Sequence, residues 1–191
     1  EFDLDRFWGK NVYLETIENE EDITKEYLSA LAKKHKLDRV IIEYNGMWNC
    51  KDMKLPWHWE VEQQITTVNG ATFQTYYANM KSLVAEQVRK SELIIFNRCD
   101  GLNDQLANFK RSIKAVNPQA EIIFEDENGI FWIPTGTGIS RFDGEKFFNY
   151  DTSNGLGVDS VFQLLIDYTH TVWMTSNKGI STVSLEDMNA L

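Results

Sequence analysis

The sequence predicts an α/β domain with a parallel sheet over residues 1–125, followed without a linker by a β-rich segment over residues 126–191. Up to Phe124, short apolar strands alternate with helices, and this alternation is typical of right-handed βαβ units. From Asp126 onward the helical period disappears, and the sequence instead repeats itself at a spacing of 41 residues. The two segments therefore predict two different architectures within one chain.

The α/β segment predicts five strands and three helices. Thr24 is a candidate N-cap for the first helix, because its hydroxyl precedes a run with apolar residues at helical spacing. Pro118 prevents the last helix from continuing. In chain order we expect a strand at 11–17, a helix at 25–36, strands at 40–42 and 64–68, a helix at 71–89, a strand at 93–96, a helix at 102–116 and a strand at 120–124.

The β-rich segment contains an internal repeat, in which an Asp, a Trp and a Gly-Ile-Ser tripeptide recur in register. A period near 40 residues with short strands and glycine turns is typical of β-propeller blades, of which this segment holds about one and a half. The matched positions are Asp126 with Asp167, Trp132 with Trp173, and Gly138 with Gly179. Between the repeats we expect a hairpin at 142–151 and an inner strand at 160–167.

Composition and charge narrow the classes of function. The 191 residues are 42% hydrophobic, enough for a buried core, and carry a net charge of −10. Because no basic stripe is present, we do not expect binding to nucleic acid. No apolar run reaches the ~20 residues that a membrane span needs, and no signal peptide is recognisable. Cys50 and Cys99 lie in unlike contexts and predict no disulfide framework, which favours a reducing compartment.

The tetrapeptide Asn97-Arg98-Cys99-Asp100 follows an apolar strand and fits an N-x-x-D guanine-recognition element. Guanine offers N1–H and the exocyclic N2–H₂ side by side, and one carboxylate can accept from both. Asp100 would take that role, Asn97 would brace the loop on the O6 side of the base, and the stem of Arg98 would lie over the base plane. The alternative is structural, since Asn and Asp are turn residues and Asp100 could cap the following helix.

A second polar motif follows the apolar run at 40–42, where Glu43 is followed by Gly46. In phosphate-binding α/β proteins a carboxylate at a strand end holds Mg²⁺, directly or through water. A glycine beyond it lets a backbone N–H approach the terminal phosphate. The alternative is an exposed Glu followed by a turn. Each motif alone is weak, but together they lie at successive predicted strand ends, where α/β proteins bind ligands.

Residues 11–125 resemble the middle of a CobW-type GTPase, a member of the metallochaperone-like P-loop family. The segments that carry the resemblance are IIEYNGMW (41–48), ITTVNGATFQTYYANMKSLV (65–84), LIIFNRCD (93–100) and SIKAVNPQAEIIFE (112–125). The resemblance implies that Glu43 is the Walker B carboxylate and Gly46 the switch glycine. It also implies that Asn97 and Asp100 read guanine, that GTP and Mg²⁺ are the cofactors, and that the protein is cytoplasmic.

Three departures separate the chain from that family pattern. The phosphate-binding G-x-x-x-x-G-K-[ST] loop does not occur in the 191 residues, and neither does the Cys-x-Cys-Cys metal motif. Asn69 stands where this variant is expected to carry Asp. Because the missing loop supplies most of the phosphate affinity, the sequence predicts a truncated, P-loop-GTPase-like domain that is catalytically incomplete.

The repeats resemble the two-component regulator propeller family, through WIPTGTGIS (132–140) and WMTSNKGIS (173–181). That resemblance implies an alternative function, a non-enzymatic sensor or interaction module that faces the periplasm and self-associates through exposed blade edges. The join within 125–129 has no Pro- or Ser-rich linker, so a gene fusion, an engineered chimera and an assembly error are all open explanations.

Overall fold

The computed structural model describes residues 11–126, 128–167 and 169–190. The chain divides into two compact units, Glu1–Glu62 and Gln63–Leu191. The junction expected between residues 125 and 126 lies inside the second unit, and the assignment of its two sides to separate domains stays a prediction.

The first unit is built around helix α1 (Lys25–His35), which is preceded by a single 3-10 turn at Glu20–Asp22. As predicted, Thr24 caps α1, and its Oγ1 accepts a hydrogen bond from the N–H of Tyr27 at 3.1 Å. The helix ends at Lys36, which adopts the left-handed conformation, and Leu28 is its buried residue.

The strands expected at 11–17 and 40–42 are not formed, and no described residue of the first unit belongs to a strand. A strand needs a neighbour whose backbone pairs with its own N–H and C=O groups, and neither run has one among the described residues. The side chains are correspondingly exposed, at 91% for Ile41 and 53% for Tyr13. An apolar run in the sequence therefore predicts a strand without showing that a neighbouring strand is available to pair with it.

The second unit begins with the expected parallel sheet, whose strands are β1 (Ile65–Asn69), β2 (Leu93–Asn97) and β3 (Glu121–Phe124) in the order β1-β2-β3. The connections are α2 (Gly70–Asn79) with α3 (Lys81–Val88), and then α4 (Asn103–Lys114). This is the βαβ arrangement that the alternating pattern predicts.

The helix expected at 71–89 is two helices, because the backbone of Met80 leaves the helical region at φ −130° and ψ 39°. The side chain of Asn79 donates to the carbonyl of Thr75 at 2.8 Å. Asn is prone to such competition with the helical backbone. The N–H of Val84 then donates to the carbonyl of Met80 at 3.1 Å, which starts α3.

Helices and sheet enclose an aromatic core. The rings of Phe73, Phe96 and Phe109 have centroids 4.9 to 5.7 Å apart, and Ile94 and Ile113 are fully buried beside them. Such offset and edge-to-face aromatic contacts stabilise a core beyond the area that they bury. The sheet that carries the polar loop after β2 therefore packs against a buried aromatic core.

The β-rich part forms two three-stranded antiparallel sheets and a short helix. The first sheet consists of β4 (Phe131–Thr135), β5 (Gly138–Phe142) and β6 (Phe147–Tyr150), and the second of β7 (Val161–Ile166), β8 (Thr171–Ser176) and β9 (Gly179–Ser184), followed by α5 (Leu185–Ala190). The two sheets share one core, which includes Trp132, Ile139, Val172 and Met174.

The two repeats have the same turn geometry. The Oδ1 atom of Asp126 accepts from two backbone N–H groups at 2.8 and 2.9 Å, and its Oδ2 atom accepts from Trp132 Nε1 at 3.1 Å. Asp167 repeats each contact 41 residues later, at 2.8 and 3.1 Å to backbone N–H groups and 2.8 Å to Trp173 Nε1. The repeat in the sequence is thus matched by the same hydrogen bonds in the structure. Closure of these sheets into a propeller stays a prediction.

None of the helices in the described part of the chain combines the length and the apolar character needed to cross a bilayer.

Candidate functional site

Asn97, the last residue of β2, and the loop that follows it to Leu102 lie at the carboxyl end of the parallel sheet. We call residues 97–102 the base loop. Arg98 has a φ of 53° and Gly101 a φ of 70°, so the chain turns sharply twice within four residues. A hydrogen bond from the N–H of Leu102 to the carbonyl of Cys99, at 3.0 Å, closes the turn. The carboxyl ends of such strands are where α/β proteins bind ligands.

The side chain of Asp100 projects from the base loop and is exposed. Helix α4 begins at Asn103 with Leu102 as its N-cap, and no side chain caps it. The alternative in which Asp100 caps the helix is therefore not what this loop does. No hydrogen-bond donor among the described residues contacts the carboxylate of Asp100. Both of its oxygens can therefore accept hydrogen bonds from a ligand.

Two carboxamides lie side by side at this end of the sheet, because Asn69 of β1 is the parallel partner of Asn97 of β2. The Oδ1 atoms of both residues are buried and have no donor within the described part of the chain. Buried carbonyl oxygens in proteins usually have a partner. The pair therefore marks the sheet edge as a place where a donor-bearing group can bind.

Gly70 begins α2 directly behind the base loop. A Cβ atom at this position would lie 3.0 Å from Cys99 Sγ, 3.2 Å from the carbonyl oxygen of Asn97 and 3.3 Å from that of Arg98. These distances are shorter than ordinary van der Waals contact, so only glycine fits without displacing the loop. The start of α2 thus sets the position of the base loop from one side.

Cys99 is the buried anchor of the base loop, with 2% of its surface exposed. Its thiol donates weakly to the carbonyls of Phe96 and Asn97, at 3.6 Å in each case. Burial raises the pKa of this thiol to about 11, and the nearby charge of Glu125 adds to the effect. Cys99 is therefore protonated near neutral pH and holds the loop as a small apolar residue rather than as a nucleophile.

Glu125 is a residue of this site that sequence reasoning missed. It follows β3, its carboxylate accepts a hydrogen bond from the N–H of Arg98, and its own N–H donates to the carbonyl of Phe96 at 2.9 Å. A usable signal existed in the sequence, since Glu125 is the first polar residue after the strand next to β2. Carboxyl ends of neighbouring parallel strands lie at the same edge of a sheet.

Glu43 and Gly46 belong to the first unit, whereas Asn97, Arg98 and Asp100 belong to the second. Glu43 is exposed and belongs to no strand, so it does not lie at the end of a paired strand as the sequence predicted. The next residues form a turn in which Asn45 Oδ1 accepts from the N–H of Met47 at 2.9 Å. Gly46 lies inside this turn.

The donor set for a divalent cation is small. No cluster of three or more His, Cys, Asp or Glu side chains that could hold a metal exists among the described residues. Mg²⁺ commonly binds one or two carboxylates and completes its shell with water and substrate phosphates. Glu43 alone fits that role only when a nucleotide supplies the remaining ligands.

An open cavity of about 800 Å³ lies within the first unit, but its lining is unsuited to phosphate. Its walls carry more carboxylates than ammonium groups, and like charge repels an anion. The charged lining residues are Glu18, Glu20, Glu21, Glu26, Asp52, Lys25 and Lys54.

The hydroxyl of Tyr44 donates a hydrogen bond to the carboxylate of Glu20. Burial, together with this hydrogen bond, raises the pKa of Tyr44 above its ordinary range.

A comparison with known protein families identifies one matching domain. Residues 17–124 match the model of the CobW/HypB/UreG nucleotide-binding domain, and the match ends where β3 ends. No curated protein matches the chain. The matched region is more than half of the 191 residues and contains the whole parallel sheet together with the base loop. The chain therefore belongs to the CobW/HypB/UreG family, whose nucleotide-binding domain it carries over residues 17–124.

Proposed function

We propose that this protein binds a guanine nucleotide through the base loop and that these 191 residues do not by themselves hydrolyse it. The observation that supports the proposal best is the carboxylate of Asp100, which is exposed and does not cap helix α4. It lies at the carboxyl edge of the parallel sheet, in a chain whose family is a nucleotide-binding one.

The chemistry of Asp100 explains why guanine would be preferred to adenine. A carboxylate has two acceptor oxygens and no donor, which matches guanine N1–H and N2–H₂. Adenine presents an unprotonated N1 in that position and would leave the carboxylate desolvated and unpaired. Asn97, whose amide oxygen is buried without a donor, would brace the loop on the O6 side, and Arg98 would cover the base.

Phosphate binding is the weaker part of the proposed site. The G-x-x-x-x-G-K-[ST] loop that cradles phosphates in P-loop proteins does not occur in these residues, and that loop supplies backbone amides and a lysine to the triphosphate. Glu43 would serve Mg²⁺ and Gly46 the terminal phosphate, as the family resemblance implies. We therefore expect weak binding that depends mainly on the base.

Titration of the chain with a fluorescent GTP analogue, with and without Mg²⁺, tests the proposal. We expect saturable binding, with competition by GTP at lower concentration than by ATP. Asp100→Ala should abolish this preference, because it removes the carboxylate that is proposed to accept from guanine N1–H and N2–H₂. Asp104→Ala is the matched control, since Asp104 is also exposed but lies in the first turn of α4. A flat signal at millimolar nucleotide would reject the function.

The alternative function, an interaction or sensor module built on the repeats, is supported by one observation. Trp132 is 3% exposed, whereas its repeat partner Trp173 is 42% exposed, and Leu165 and Ile180 on the same sheet are 56% and 70% exposed. Exposed apolar surface of this kind favours self-association. Size-exclusion chromatography over a hundredfold range of concentration tests it, and a monomer at every concentration would count against it.

A further inference from the structure

We propose that Glu125 is the positioning residue of the base loop and that it couples this loop to the first β-hairpin of the β-rich part. The proposal rests on the guanine-binding function above. It concerns how Asp100 is held in place rather than which groups touch the nucleotide, and all of its residues lie within the second unit.

Glu125 makes three connections at once. Its carboxylate accepts the N–H of Arg98 in the base loop. Its N–H donates to the carbonyl of Phe96 at 2.9 Å, which extends the pairing of β2 with β3. Its backbone also forms an antiparallel bridge with Phe131, the first residue of β4. A single residue therefore joins the parallel sheet, the base loop and the first hairpin.

The base loop needs an external anchor at Arg98. This residue has a φ of 53°, and a non-glycine residue in the left-handed region persists only where its surroundings hold it there. The acceptor that Glu125 provides to the Arg98 N–H is such a restraint. Asp100 follows two residues later, so a relaxed Arg98 would displace the carboxylate from the geometry that bidentate recognition requires.

The internal repeat shows that the carboxylate of Glu125 is not needed by the hairpin itself. The bridge between Glu125 and Phe131 corresponds, 41 residues on, to the pairing of Ile166 with Val172. The second repeat thus makes the same backbone contact with an isoleucine. The backbone of residue 125 pairs with the hairpin, whereas its carboxylate accepts the hydrogen bond from the base loop.

Three variants of the full chain test this assignment. Glu125→Ile copies the second repeat and keeps the hairpin while it removes the acceptor, and Glu125→Gln keeps a neutral acceptor. Glu121→Ala, at the first residue of β3, removes a carboxylate away from the base loop. Two readouts are followed: amide hydrogen exchange of peptides that cover residues 97–102, and the affinities for GTP and ATP analogues.

We expect Glu125→Ile to speed exchange in the base loop about tenfold and to weaken GTP binding about tenfold, consistent with loss of a hydrogen bond to a charged group. Glu125→Gln should fall between this variant and the wild type, and Glu121→Ala should behave as the wild type in both readouts. Unchanged exchange and unchanged affinity in Glu125→Ile would overturn the proposal. If the wild-type chain binds no nucleotide, the guanine function fails, and loop exchange alone then decides whether Glu125 holds the loop.

Discussion

At the scale of the residue, single carboxylates hold the turns of the β-rich part. Asp126 and Asp167 each accept from two backbone N–H groups and one indole N–H. An ionised carboxylate has acceptor sites for all of these donors, whereas an amide would offer a single oxygen. The Asp is therefore the residue on which the geometry of each turn depends.

The pH dependence of stability should reveal this role at Asp167. Hydrogen bonds from the side chains of Thr169 and Trp173 lower the pKa of Asp167 to about 2, below the ordinary value of about 3.9. A carboxyl whose pKa is depressed by folding stabilises the fold above its unfolded pKa, and this contribution is lost as the pH falls through the folded value. Asp167→Asn should therefore lower the Tm at pH 5 to 7, and the difference from the wild type should vanish as the pH falls from about 4 to 2.

The control for this measurement is Glu145→Gln, which neutralises an exposed carboxylate at the tip of the β5–β6 hairpin. It should leave the Tm unchanged over the same pH range. A constant difference between Asp167→Asn and the wild type down to pH 2 would show that the charge of Asp167 does not stabilise the turn.

Gly70 provides a second prediction for a single residue. Because its Cβ position lies 3.0 to 3.3 Å from atoms of the base loop, Gly70→Ala should destabilise the fold by about 1–3 kcal/mol through overpacking and weaken nucleotide binding. Gly136→Ala, where nothing lies within 4 Å of the added Cβ, is the control. Urea unfolding and the GTP titration measure the two effects, and an equal stability of both variants would refute the argument.

At the scale of the element, the parallel sheet and helix α1 could be predicted, whereas the two strands expected in the first unit are not formed. The strand at 65–69 has a run of β-branched residues, which are enriched in strands. The strands near 93–97 and 121–124 were recognisable because their fully apolar runs are typical of buried parallel strands. The run at 40–42 has the same composition, yet it forms no strand, since pairing depends on a neighbour that composition does not specify. The break at Met80 was missed for a related reason, because apolar periodicity continues through it.

The site was predictable to the same degree. Asn97 and Asp100 follow a recognisable strand, so their positions in the base loop could be inferred from order along the chain. Glu125 and Asn69 reach the same loop only through pairing of β1 and β3 with β2. Such contacts between residues 27 or 28 positions apart depend on sheet order, which local patterns do not encode.

The two repeats allow a matched test of one strand position. Gly138 and Gly179 are equivalent and have φ values of 136° and 118°, but an added Cβ at Gly138 would overlap the carbonyl oxygen of Tyr150, whereas nothing lies within 4 Å at Gly179. In the first repeat β5 pairs with β6, while in the second repeat α5 follows β9. We expect Gly138→Ala to destabilise the chain by more than about 3 kcal/mol, and Gly179→Ala by about 1–2 kcal/mol from backbone strain alone.

Urea unfolding followed by tryptophan fluorescence measures both variants. The comparison is internal, because the two substitutions are chemically identical and both positions lie in the left-handed region. Equal destabilisation by the two substitutions would show that the carbonyl of Tyr150 in β6 does not lie against the Cβ position of Gly138 in β5.

At the scale of the whole molecule, the second unit contains two hydrophobic cores, and Glu125 links the sheets that enclose them. The aromatic core around Phe96 supports the parallel sheet, and the core around Trp132 joins the two antiparallel sheets. Glu125 follows the last strand of the first core and pairs with Phe131, where the hairpin of the second begins. The absence of a linker in the sequence thus corresponds to direct backbone pairing, which gives the base loop a physical connection to the repeats.

Limited proteolysis tests the division of the chain into its two units. The boundary segment Glu60, Val61 and Glu62 is exposed, and the ion pair of Arg39 with Glu62, at 2.9 Å, involves two side chains that are about 70% exposed. Such surface pairs contribute little stability, and protease cleavage concentrates where backbone is exposed and locally unpaired.

A glutamate-specific protease should therefore cut within residues 11–62 several-fold faster than within the second unit, and a fragment that begins at residue 61 or 63 should accumulate. Mass spectrometry over a time course identifies the cuts. First cleavage at Glu145 or Glu186, which are also exposed but lie in the β-rich part, would show that residues 63–191 do not form the more resistant unit.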